Sequence, residues 1–172
     1  EGKEIEAEAV FLNKYLHTDY QKLHDALKAS LRKHSRRKPV VIYGDVCMGF
    51  NGEMNALMTE YDVVKVDALN CIDCLLGGRG KLLEIDPDHR SFFLTPAFLE
   101  FSENLILGTK EDNRRRFSML KGIIVLDSLG DMERHWDRIE HISDQTGLPV
   151  LKHWAVGLDG LKAVVQEALI KG

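Results

Sequence analysis

The chain has 172 residues, 44% of them hydrophobic and 29% charged, with a formal net charge of -4. That composition fits a folded chain large enough for one core rather than a disordered or membrane one. A negative balance gives no sequence-independent attraction to phosphate backbones, so nucleic acid is not an expected partner, and no apolar run nears the roughly 20 residues that cross a bilayer.

In chain order, Ile5 to Leu12 is apolar and partly alternating, which predicts a strand. Asp19 then predicts the cap of a helix through about Lys33, with Leu23, Ala26, Leu27, Ser30 and Leu31 on one face. Pro39 opens the run Val40-Val41-Ile42-Tyr43, whose continuous apolar character is that of a central parallel strand. After a glycine-rich turn, Glu53 to Glu60 predicts a short helix and Tyr61 to Val66 a further strand. Cys71 to Leu76 reads as a short helix or turn, followed by a polar loop with Asp86-Pro87-Asp88.

Phe92 to Leu94 predicts a short strand, and Thr95-Pro96 starts a helix, since proline is preorganised for the first helical position. A helical piece near Glu111 to Leu120 precedes Gly122 to Leu126, the clearest strand after Val40 to Tyr43. The turn from Asp127 to Asp131 leads into a helix ending before Gly147. Pro149 to Leu151 predicts a short strand, and Asp159 the cap of a last helix carrying Leu161, Val164, Val165, Ala168 and Leu169. Strands alternating with helices predict an α/β fold, here a three-layer Rossmann-like sandwich with a mainly parallel sheet, formed by residues 1–172 as one domain.

Two turns carry the chemistry. Each follows a predicted strand, the place where open α/β sheets bind ligands. The first, Tyr43 to Gly52, holds Cys47 with Asp45 and Asn51 among Gly44, Gly49 and Gly52. The second, Asn70 to Gly78, holds Cys71, Cys74 and Asp73 before Gly77. Thiolate sulfur is a preferred ligand of zinc and iron, and Cys71 and Cys74 have the Cys-x-x-Cys spacing that can place two sulfurs on one ion. If the preceding strands are neighbours, about 4.8 Å apart, Cys47 joins them.

The expected metal ligands are therefore Cys47, Cys71 and Cys74, with the fourth place open to His153, which follows a predicted strand, to Asp45, Asp73 or a residue of a missing N-terminal segment, or to substrate. Asp45, Gly49, Asn51, Gly52, Asp73 and Gly77 are the expected surroundings of a bound cofactor. Against this stands the commoner fate of unpaired cysteines, burial as small hydrophobes, which suits Cys74 best. A second functional reading makes Cys47 or Cys71 the nucleophile of an enzyme for a small anionic substrate, with glycine-turn amides stabilising negative charge.

Neither nucleotide signature is present: Gly44, Gly49 and Gly52 have the wrong spacing for a dinucleotide fingerprint, and Leu75 and Leu82 stand where a phosphate loop needs glycine and a hydroxyl. The basic clusters Arg32 to Lys38 and Arg114 to Arg116 fall near predicted helix ends and read as solvated surface. Trp136, Ile139 and Ile142 read as core contacts. His24, His34, His135 and His141 read as polar helix faces, while His17 follows a predicted strand as His153 does. Three unevenly spaced cysteines without a signal peptide point to a reducing cytoplasm rather than a disulfide framework.

The order Leu16-His17, Tyr43-Gly44-Asp45 with Cys47, Asn70-Cys71 with Gly77, Phe93-Leu94-Thr95-Pro96, Ile124-Val125-Leu126-Asp127 and Gly157 resembles the prokaryotic domain of unknown function 1638 from about Ile5 to Leu161. Members of that family typically start with a further strand carrying a cysteine. Because this chain starts at Glu1 without one, an N-terminal strand is expected to be missing. The resemblance implies Cys47 and Cys71 as site residues, while Cys74 does not match a usual family cysteine. It also implies an association with corrinoid-dependent methyl metabolism, with a methyltransferase-system protein as partner. Whether the chain catalyses a reaction, carries a metal ion or metal-containing cofactor, or only assists such a partner stays open at this level.

Overall fold

A computed structural model describes residue 5, residues 7–106 and residues 108–172. It divides into two compact units: residues up to Lys81 together with Asp159–Gly172, and residues Leu82–Leu158.

In the first unit, Asp19 caps helix α1 (Tyr20–His34) by accepting from the Lys22 N–H. Leu23, Leu27 and Leu31, spaced by four, bury one face of that helix. Strand β1 (Val40–Val41) pairs in parallel with β2 (Val64–Lys65), Val40 opposite Val64 and Val41 opposite Lys65. Between them lies α2 (Glu53–Tyr61), which buries Met54, Leu57 and Met58. Neighbouring residues of β1 face opposite ways: Val41 joins the core of α1 and α2, whereas Val40 packs with Val66, Ala68, Cys74, Val164 and Ala168. The latter cluster joins Val66 and Ala68, just after β2, to α3 (Cys71–Leu76) and α8 (Asp159–Lys171). Gly160 makes that packing close, because a Cβ there would stand 2.3 Å from the Leu75 carbonyl oxygen.

Helix α4 (Lys81–Ile85) crosses the boundary in sequence. The second unit is a three-stranded parallel sheet, β3 (Ser91–Leu94), β4 (Gly122–Asp127) and β5 (Val150–Ala155), with β4 in the centre. All six residues of β4 are buried. At about 1.5–3 kcal/mol for each fully buried Ile, Val or Leu, this strand anchors the unit. Thr95 caps α5 (Pro96–Leu105) with Pro96 at its start, and Thr109 and Asp112 form a capping box on α6 (Lys110–Phe117). Helix α7 (Trp136–Thr146) buries Ile139 and Ile142 and ends on Gly147 in the left-handed region. Trp136 packs at the edge of the same core.

The chain is thus α/β, and among the described residues every strand pair is parallel, the strands forming a two-stranded and a three-stranded sheet. The strand expected over Ile5 to Leu12 does not form in its described part. Ile5 and residues 7–12 have no ladder, and residue 6 lies outside the described residues. Val10 and Phe11 are exposed there while Leu12 packs on the core. Apolar alternation makes a strand only where a partner supplies hydrogen bonds. The polar loop expected before Phe92 begins instead with α4. Asp159 is the first residue of α8 rather than its cap, and β5 runs on through His153 and Trp154 to Ala155. Among the described residues, no helix is long and apolar enough to cross a membrane.

Candidate functional site

The two cysteine turns meet beyond the C-terminal ends of β1 and β2. Asp45 N–H donates to the Ala68 carbonyl and Val46 N–H to that of Leu69, each at 3.0 Å. Gly44 permits this approach: a Cβ there would lie 2.4 Å from Leu69 O and 2.5 Å from the Asn70 backbone. Cys47 then sits in the short 3-10 turn Asp45–Met48, and Cys71 opens α3, where Asn70 Oδ1 caps the N–H groups of Ile72 and Asp73 at 3.0 Å.

All three cysteines are free thiols, Cys47 half-buried, Cys71 exposed as a residue and Cys74 buried. Burial raises the Cys47 thiol above its ordinary value, against the pull of the Gly44 backbone and the Lys65 ammonium. Atoms crowd the Cys71 thiol even though the residue reaches the surface. That desolvation, with the Cys47 sulfur nearby, pushes it up to about 11. Cys74 is pushed up to about 12 by burial first, then by Cys71 and Cys47. Cys47 thus acts on Cys71, and both act on Cys74, and burial keeps all three from being ready thiolates at neutral pH.

Beside them lies a charge network. Asp45 pairs with Lys65 (Oδ1 to Nζ 2.5 Å) and with Arg79 (Oδ2 to Nη2 2.5 Å), and Arg79 Nε reaches Asp67 at 2.6 Å. The Lys65 side chain is only 10% exposed, and its ammonium also donates to the Val66 carbonyl at 2.8 Å. Burial alone would raise the Asp45 carboxyl, but the two cations outweigh it and hold it below the usual carboxylate range.

The other expected cofactor residues serve the local backbone. Asp73 is fully buried, and its Oδ2 accepts from Leu69 N–H and Gly80 N–H at 3.1 Å each, bracing the loops on both sides of α3. Asn51 donates from its backbone and its amide to the Glu53 carboxylate at 2.9 and 3.2 Å. Gly49 closes the 3-10 turn, Gly52 caps α2 and Gly77 ends α3. His17 is exposed, with its ring 5.6 Å edge-on to Tyr43.

His153 belongs to the second unit, on β5, where its Nε2 lies 3.6 Å from Asp127 Oδ2. Asp127 Oδ1 accepts from the N–H groups of Leu129, Gly130 and Asp131 at 3.3, 2.7 and 3.2 Å, and Oδ2 from Met132 at 3.3 Å. Burial would raise this carboxyl, yet the four backbone donors hold it low. Among the described residues, no group of three or more His, Cys, Asp or Glu side chains is disposed to hold a metal ion.

The family described as a protein of unknown function, DUF1638, matches residues 11–165. The chain belongs to DUF1638. No curated protein and no solved structure matches it. The resemblance read from the cysteine turns and strand ends is therefore borne out, and the match covers both units of this DUF1638 protein. Lys65 was missed as a site residue, although a charge between Val64 and Val66 signals a buried partner. Arg79, in the loop after α3, is engaged by both Asp45 and Asp67.

Proposed function

We propose that the thiol edge of the first unit binds a thiophilic metal ion, zinc or iron, or a metal-containing cofactor, through Cys47 and Cys71. Cys74 contributes if the start of α3 adjusts. The observation that carries this reading is the convergence of the two cysteine turns through Gly44, which sets Cys47 near enough to raise the Cys71 and Cys74 thiols. A cation offsets the cost of the thiolate form by taking the place of the protons. Asp45 is tied to Lys65 and Arg79, so it positions the Cys47 turn rather than supplying a free ligand. The same proposal takes the chain as a three-layer Rossmann-like sandwich, supported by the separate apolar clusters on the two sides of β1. Corrinoid-dependent methyl metabolism, with a methyltransferase-system partner, enters only through the family resemblance.

The test is elemental analysis of anaerobically prepared protein beside the Cys47→Ser, Cys71→Ser double variant, with thermal melting to confirm that both fold. The native protein is expected to hold zinc or iron near one per chain, the variant to lose most of it, and binding to release protons. Native protein that stays metal-free after anaerobic incubation with zinc(II) and with iron(II) sinks the proposal. The alternative, a thiol-dependent enzyme for a small anionic substrate, needs a thiolate at neutral pH. Iodoacetamide labelling separates the two: Cys71 is expected to react more slowly than a free thiol at neutral pH and to keep accelerating toward pH 11.

A further inference from the structure

The carboxyl end of the second sheet holds a cleft of about 320 Å³ lined by Glu133, Trp136 and His153. That volume is at the small end of the range for small-molecule sites. The cleft owes its place to the fold. Asp127 ends β4, its carbonyl accepts the Val156 and Gly157 N–H groups at 2.9 and 3.2 Å, and so the end of β5 with His153 is fastened beside the turn that leads to Glu133 and Trp136.

The walls are chemically one-sided. The Trp136 indole N–H donates to Glu140 Oε1 at 3.1 Å, which fixes the ring, and the ring centroid lies 5.8 Å from that of His153. Glu133 is exposed, and its carboxylate has no hydrogen-bond or ion-pair partner among the described residues, although its backbone carbonyl accepts from Trp136 N–H. In the same turn Asp131 Oδ1 is buried and also lacks a hydrogen-bond partner there. Behind His153 stands the ionised Asp127. Among the described residues, no lysine or arginine lines the cleft.

An anion entering here would meet the Glu133 carboxylate and no lysine or arginine, while a neutral apolar ligand would desolvate Glu133 without compensation. A positively charged nitrogen gains from both the indole ring and the Glu133 carboxylate. We propose that this cleft binds a small organic ammonium ion, its charged nitrogen against the Trp136 ring and the Glu133 carboxylate, with His153, held by Asp127, as the remaining wall. The site lies wholly in the second unit and is independent of the thiol edge.

Tetramethylammonium chloride is the probe, titrated at constant ionic strength against the Trp154→Phe variant, which leaves Trp136 as the single indole reporter. A saturable change in Trp136 fluorescence is expected. Neopentyl alcohol, uncharged and similar in shape, and sodium acetate are expected to give none. Glu133→Gln in the same background is expected to weaken binding by about tenfold or more at an unchanged melting temperature. Chemical shifts of the Trp136 indole and the Glu133 and His153 amides, followed in the unsubstituted protein, read the same event if Trp154→Phe impairs folding. No saturable response to tetramethylammonium, an equal response to neopentyl alcohol or acetate, or full retention in Glu133→Gln would overturn the proposal.

Discussion

Both units place a carboxylate at the C-terminal end of a parallel strand, and they hold it by opposite means. Asp45, beyond β1, is held by full positive charges on Lys65 and Arg79, which come from β2 and from the loop after α3. Asp127, the last residue of β4, is held by the N–H groups of the next turn. The first arrangement cross-links segments far apart in sequence, so it depends on several side chains at once. The second is local and depends on backbone that any sequence supplies. They also leave different fields behind: at Asp45 the charge is cancelled and the edge presents thiols, whereas at Asp127 dipoles stabilise the charge without neutralising it.

The comparison breaks most sharply at its glycines. Gly44→Ala would push a Cβ to 2.4 Å from the Leu69 carbonyl oxygen, against backbone that cannot turn aside, and is expected to cost about 3 kcal/mol or more. In the Asp127 turn, Gly130 has open space around its Cβ position and only a φ of +75° to defend, so Gly130→Ala is expected to cost about 1 kcal/mol. Urea denaturation measures both. Equal losses would mean that the two cysteine turns do not meet through Gly44.

Next in size are the carboxylates. Asp45→Asn leaves the poorly exposed Lys65 facing no full negative charge and is expected to cost about 2–3 kcal/mol. Adding Lys65→Met is expected to restore part of that loss, because the uncompensated ammonium goes with it. Asp127→Asn is expected to cost about 2 kcal/mol, since an amide NH2 would face backbone donors, and no second side-chain change should recover it. A double-mutant coupling of zero, with no recovery, would show that Lys65 and Asp45 act independently.

What the sequence made legible follows the range of the interactions. Helix starts at Asp19 and Thr95 and the end at Gly147 are set by atoms within a few residues, so composition and spacing suffice to find them. The central strand β4 is legible because burial on both faces demands an unbroken apolar run. The segment from Ile5 to Leu12 misleads because its pattern says nothing of a partner strand. At the thiol edge the cysteine turns were readable, but Asp45 was grouped with the cofactor because its two cations lie 20 and 34 residues away, at Lys65 and Arg79. Asp73 was grouped there too, yet it braces two loops. A carboxylate's residue type does not say whether its partner is a ligand or the chain itself.

Acid sharpens the contrast with a smaller effect. Asp45 and Asp127 both titrate below the ordinary 3.8, so the folded state binds fewer protons than the unfolded one in that range. Their contribution is complete above the ordinary carboxylate value and is lost as pH falls through it toward the folded value. Stability measured from pH 6 down to about pH 3 is therefore expected to fall less steeply in Asp45→Asn and in Asp127→Asn than in the parent. A slope unchanged by either substitution would assign the acid sensitivity to other carboxyls.

The smallest effect is expected at Arg79, whose side chain is 44% exposed while it bridges Asp45 and Asp67. Solvent screens much of that attraction, so Arg79→Gln is expected to cost no more than about 1 kcal/mol at low salt, and less as salt is added. Lys65, more deeply placed, still neutralises Asp45 in that variant. The hydrogen bonds at Asp127 act at contact distance through backbone dipoles, and the loss in Asp127→Asn should change little over the same salt range. Unfolding both variants at low and high sodium chloride separates a carboxylate held by mobile charges from one held by the chain. If Asp127→Asn proved the more salt-dependent of the two, His153, rather than the backbone turn, would be its main partner.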